Sequence, residues 1–181
     1  MLRNMLLAAA VFSFPAWAGQ PLGLGRTPTE AEVAAWNIDI LPDGTGLPPG
    51  QGSVAQGGEI FVAMCAACHG AHGEAGDNNP VPRLAGGQGT LITPHSLRTV
   101  GSYWPFATTL FDYIRRAMPL NAPQTLTDDQ VYAVAAYVLS LNGVVPQDTV
   151  LNRTNLAAIK MPNRDGFVRA GAGQGNAAVP R

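Results

Sequence analysis

Residues 65–69 read Cys65-Ala66-Ala67-Cys68-His69, and these five positions hold both cysteines of the 181-residue chain. A disulfide between thiols three apart would close a tiny loop and restrain the unfolded chain very little, so the pair calls for another explanation. The C-x-x-C-H spacing is the attachment pattern of a c-type haem. Two thiols three apart at a helix end can form thioethers to the two vinyl groups of one porphyrin. The imidazole of His69 then falls beneath the iron as its proximal ligand. The rival is a thioredoxin-like dithiol, which expects a strand–helix–strand setting. No stretch of this sequence alternates convincingly enough to supply one.

Working outward, Ser53-Val54-Ala55-Gln56 is a capping box that opens a helix running toward residue 66. Residues 70–101 are rich in Gly and Pro and predict turns. Leu110, Phe111, Ile114 and Ala117 form a helical stripe within 105–117, ended by Pro119. A second capping box, Thr127-Asp128-Asp129-Gln130, opens the clearest helix. There Val131, Val134, Ala135, Val138 and Leu139 recur at helical spacing before Asn142-Gly143 stops it. The prediction is an all-α cytochrome domain over 53–143. It lies between an extended arm at 19–52, with a short capped helix at 29–36, and an irregular extension at 144–181 with a disordered end. Such a small core would gain from a bound prosthetic group.

The iron's sixth ligand is expected to be Met118, in Arg116-Ala117-Met118-Pro119 just ahead of the last helix. A thioether there completes His/Met ligation, which raises the reduction potential and suits electron transfer. Met161 is also followed by proline but lies past the last helix, in a tail with no predicted structure to hold it. His72 is close to His69 in sequence, and His95 would make a bis-histidine haem. The His69 imidazole needs an acceptor for its other N–H, and the carbonyl of Pro82 is a candidate. Tyr103, Trp104, Arg98, Arg115 and Arg116 are candidates for the haem propionates. Gly57, Gly58 and Phe61 would let the last helix approach closely at Val134 and Tyr137.

The N-terminus carries Arg3, an apolar run over 5–14 and Ala16-Trp17-Ala18, the pattern of a cleaved signal peptide (1–18). That predicts a periplasmic protein. The run is too short to span a bilayer, which takes about 20 residues. A net charge of −1 with Lys160 as the only lysine argues against nucleic acid and against docking through a ring of lysines.

With those residues in place, the core resembles class I cytochrome c. Gly57, Phe61, the haem motif, Pro82-x-Leu84-x-Gly86, Met118 and Tyr137 follow that family's order. A narrower resemblance is to the haem subunit (SoxD-like) of the Sox sulfur dehydrogenase. It rests on 36–39, 42–50, Gly101-Ser102-Tyr103-Trp104-Pro105, 112–119 and 162–167. The resemblance implies one covalent haem c in an electron-transfer subunit of a sulfur or sulfite dehydrogenase. Electrons would arrive from a molybdenum-cofactor catalytic subunit of the sulfite-oxidase type and leave to an acceptor cytochrome c. It also suggests that 27–50 and 144–169 lie across the catalytic subunit. The alternatives are a free mobile carrier, a haem sensor with an open sixth position, and a thiol–disulfide oxidoreductase. No acid–base or nucleophilic apparatus is evident, so the chain alone is not expected to be catalytic.

Overall fold

The computed structural model describes residues 23–75 and 81–168, and the expected signal peptide and disordered end lie outside them. Two units are distinguished, one ending at Asn37 and one beginning at Ile38. The first contains helix α1, Glu30–Trp36, closed by the Thr29/Glu32 capping box and by an ion pair from Arg26 to Glu32. None of its residues is buried, and Trp36 is 87% exposed.

The second unit holds the core. Helix α2 spans Val54–Met64 and α3 Ala66–His69. Helix α4 covers Ala107–Ala117 and α5 Asp128–Leu141. The Ser53 and Thr127 capping boxes form as their sequences dictate, with each hydroxyl accepting from the third residue's amide. Packing centres on α5. Phe111 of α4 meets Tyr132 at a centroid distance of 4.4 Å, and Phe61 of α2 meets Tyr137 at 5.1 Å. Each such pair contributes about 0.5–1.5 kcal/mol beyond its buried area.

The sequence predicts one apolar stripe on α5, yet Tyr132, Ala133, Ala136 and Ser140 are buried as well. A two-stranded antiparallel sheet explains this. Strand β1 (Gln51–Ser53) pairs with β2 (Val150–Asn152), Gly52 opposite Leu151, and both strands pack on α5. Three-residue strands are too short to leave an alternation in the sequence, which is why the all-α expectation missed them.

The core therefore runs past both edges of 53–143. Ile40 and Leu47 are buried, and the Tyr132 hydroxyl donates to the Pro48 carbonyl at 2.9 Å. On the other side Leu151, Leu156 and Met161 are all but fully buried. The segment from 144 onward is folded back against the core rather than irregular. Residues 38–50 and 144–161 thus anchor to this chain's own core at Ile40, Leu47, Leu151, Leu156 and Met161, while most of their other residues stay exposed or half-buried.

Two consequences are measurable. Leu151→Ala should cost about 2–5 kcal/mol in a denaturant titration, the range for a buried leucine, whereas a dispensable extension would lose under about 0.5 kcal/mol. Burial, followed by the nearby charge of Asp128, pushes the Tyr132 phenol up to about 12. The fold thus favours the neutral phenol relative to the unfolded chain, whose tyrosine titrates near 10. Its stabilisation is complete below about pH 10 and declines as pH rises toward 12. Tyr132→Phe should remove that part of the alkaline loss, and an unchanged pH profile would refute the assignment.

Candidate haem site

The attachment motif sits where α2 breaks. Cys65 closes α2, its amide donating to the Phe61 carbonyl at 2.8 Å, and the chain restarts as α3, which carries Cys68 and His69. Gly70 ends α3 at φ +78, a left-handed conformation that a side chain would strain. A Cβ there would also stand 2.6 Å from the Glu74 carboxyl carbon. The turn is then tied back, with the Ala75 amide on the His69 carbonyl at 2.9 Å and the Leu84 amide on the Gly73 carbonyl at 2.8 Å.

The chemistry of these groups fits thioether attachment better than dithiol exchange. Cys65 is half-buried and Cys68 exposed, and no disulfide joins them. Burial, reinforced by the adjacent Cys68, pushes the Cys65 thiol up to about 11, whereas an activated redox thiol is depressed. Burial also holds the His69 imidazole below its usual range, so the ring is neutral near pH 7, as an iron ligand must be. The exposed Pro82 carbonyl opposes that shift in part. It acts on the ring without completing a hydrogen bond at Nδ1, which is buried and unpartnered.

Met118 follows α4 directly, in extended conformation, with its amide on the Ile114 carbonyl at 3.0 Å. It is half-buried, as are Cys65, Leu84, Trp104 and Tyr137, and all of them pack on the core. Partly covered apolar side chains on the core that carries Cys65 suit a large apolar ring attached at Cys65 and Cys68. Among the rival ligands, His72 and His95 are exposed. Met161 is 1% exposed within the core cluster. It has structure around it after all, and it serves there as a core-filling side chain.

The propionate candidates all have partners within this chain. Arg115 donates to Asp128 at 2.9 Å. Arg116 pairs with Asp112 one turn earlier on α4 and reaches Asp39 at 3.4 Å. Both guanidinium groups thus already hold carboxylates of this chain. Arg98 lies over the Tyr103 ring, 5.2 Å from its centroid, and Trp104 meets Tyr113 edge-on at 5.8 Å. The C-terminal segment clasps Tyr103, whose carbonyl accepts from Asn163 at 2.7 Å while Phe167 packs edge-on against its ring at 5.1 Å. Among the described residues no cluster of three His, Cys, Asp or Glu side chains could hold a separate metal ion. No described helix is long and apolar enough to cross a membrane.

The long-range bonds of Asn142 were not legible. Its sequence signal, Asn142-Gly143, reads as a helix stop, but the side chain reaches the loop that follows the haem motif.

Comparison with known proteins agrees with this geometry. The family model for cytochrome c matches residues 54–142. A chain of the sulfane dehydrogenase SoxCD from Paracoccus pantotrophus aligns with a TM-score of 0.76 and 44% identity, covering 83% of this chain and 73% of that one. The thiosulfate dehydrogenase of Allochromatium vinosum is 26% identical over 134 residues, 72% of this chain; the chain spans only 43% of that relative's length. Motif, fold and these likenesses converge: the chain belongs to the class I c-type cytochromes, as a SoxD-like member that carries one covalent haem c.

Proposed function

We propose that this cytochrome is the periplasmic electron-transfer subunit of a molybdenum-dependent sulfur or sulfite dehydrogenase. The observation that carries the reading is the 44% identity to a chain of the SoxCD sulfane dehydrogenase, maintained over 83% of this one. In this reading a molybdenum-cofactor catalytic subunit of the sulfite-oxidase type oxidises the sulfur compound, and a further cytochrome c accepts the electrons downstream. The arms at 27–50 and 144–169 would lie across that catalytic subunit, and they carry exposed apolar side chains for it to cover: Val33, Trp36, Ile38, Leu41, Val150 and Phe167.

Haem c supplies one-electron redox chemistry when bound. Cys65 and Cys68 fix it covalently, and His69 and Met118 are the residues that would hold the iron. A thioether at Met118 favours the reduced state and so a high potential. The Pro82 carbonyl is the candidate acceptor for the His69 ring N–H, and Leu84, Trp104 and Tyr137 are the half-buried side chains that would keep water from the ring. Oxidation of a sulfur group releases electrons in pairs, and one haem stores one at a time. The chain must therefore pass its first electron on before the turnover is complete, which is the reason a separate acceptor is required.

The test mixes oxidised cytochrome with the catalytic subunit and then adds sulfite or thiosulfate. Reduction of the haem spectrum only when both are present is the expected result; no reduction by either compound would return the chain to the role of mobile carrier. In the same assay Met118→Ala should keep the covalent haem but lose the iron–thioether absorption. Its potential should fall by on the order of 0.1 V, within the ≈ 0.8 V that axial ligands span. An unchanged potential would assign the sixth position to another group.

A further inference from the structure

The segment after Met161 turns back onto the loop that leads into α4. Met161 anchors it at 1% exposure, and the Arg164 amide closes a turn on the Met161 carbonyl at 3.1 Å. Asn163 Nδ2 donates to the Tyr103 carbonyl at 2.7 Å, and Phe167 packs edge-on against the Tyr103 ring at 5.1 Å. Gly166 permits the bend, because a Cβ there would stand 1.9 Å from Asn163 Oδ1. The loop underneath is fixed as well, with the Tyr103 amide on the carbonyl of the buried Thr99 at 3.0 Å. Two stretches singled out in the sequence, 101–105 and 162–167, thus form one packed element.

Two arginines lie on this element. Arg98 covers the Tyr103 ring at 5.2 Å from its centroid, and Arg164 covers the Phe106 ring at 4.4 Å. Arg26, Arg115 and Arg116 each hold a carboxylate of this chain. Among the described residues neither Arg98 nor Arg164 holds one, although Asp165 stands next to Arg164 in the chain. Stacking uses the face of a guanidinium and leaves its in-plane N–H donors for another acceptor. A group already held flat on a ring gives up less freedom when a carboxylate meets its fork. Arginine and aromatic side chains are also the residues that most often anchor a protein contact, and Phe167 adds a ring that is 51% exposed.

We propose that Arg98 and Arg164 are anchors of the contact with the catalytic subunit, where they receive aspartate or glutamate carboxylates from its surface. An acidic surface fits because a planar fork engages a carboxylate at two points. The catalytic subunit is the occupant because Arg164 belongs to the arm that lies across it. The inference rests on the reading of this chain as a subunit of that dehydrogenase and names the chemistry of one part of the contact.

The experiment titrates the purified catalytic subunit into the holocytochrome and follows complex formation by calorimetry. Arg98→Gln and Arg164→Gln should each weaken the complex about tenfold, the loss of one charge-assisted fork. Arg164→Gln should keep its haem absorption unchanged. Arg164→Lys retains the charge without the fork and should stay weak. Arg153→Gln and Lys160→Gln each remove an exposed charge of the same arm and should bind as the unaltered chain does. The gap between Arg164→Gln and the unaltered chain should narrow as salt is raised to about 0.5 M. Undiminished affinity in the two glutamine variants, rescue by Arg164→Lys, or an equal loss in Lys160→Gln would overturn the proposal. So would a shifted potential in Arg98→Gln with its affinity intact, which would return that residue to the haem propionates. Absence of any complex with the unaltered chain would refute the subunit reading itself, and this inference with it.

Discussion

The closest constraint in the molecule is the approach of α2 and β1 to α5. A Cβ on Gly57 would stand 1.9 Å from the Ala133 carbonyl oxygen, and one on Gly52 would stand 2.2 Å from the Ala133 amide nitrogen. No side chain fits at either place, so backbone meets backbone. From Gly57 the helix has about 12 Å to run before Cys65, at roughly 1.5 Å per residue. Its register against α5 therefore decides where the attachment motif emerges. The far end of α5 then delivers Asn142 to the loop at 84–86, whose Leu84 amide is bonded to the turn at Gly73 after the motif.

This arrangement makes α5 the spine of the protein. The sheet of β1 and β2 covers the side that α2 and α4 leave open, so the helix is buried almost all round, a situation that needs several partners. What projects beyond this spine is the break at Cys65, the turn to Gly73, the loop held at 84–86 and the exit of α4 at Met118, the residue we propose as the second iron ligand. The charges on α4 are internally matched. Arg115 and Arg116 tie α4 to Asp128 and Asp39, binding the segment that precedes β1 to the same framework.

Legibility in the sequence followed the range of the interaction. The haem motif, the three capping boxes and the helical stripe of α4 are local patterns, and each is present as read. The sheet is not local, since Gly52 and Leu151 pair across most of the chain and neither strand is long enough to alternate. Met161 looked unsupported because nothing near it in sequence is structured, yet Leu151 and Leu156 return beside it to the core. The ion pairs of Arg115 and Arg116 were not legible, because their partners Asp128 and Asp39 stand 13 and 77 residues away. Asn142 spelled a helix stop, and its bonds across the chain depend on a glycine at 101 and a loop at 84–86 that no local rule connects to it.

The central claim is that this cytochrome works joined to a molybdenum subunit, and a metal count on the native assembly tests it most directly. The chain would be tagged, recovered from its native cells and analysed for iron and molybdenum across a sizing column. The account predicts that the two metals co-elute in a fixed ratio. Iron alone, on a species the size of the monomer, would contradict it.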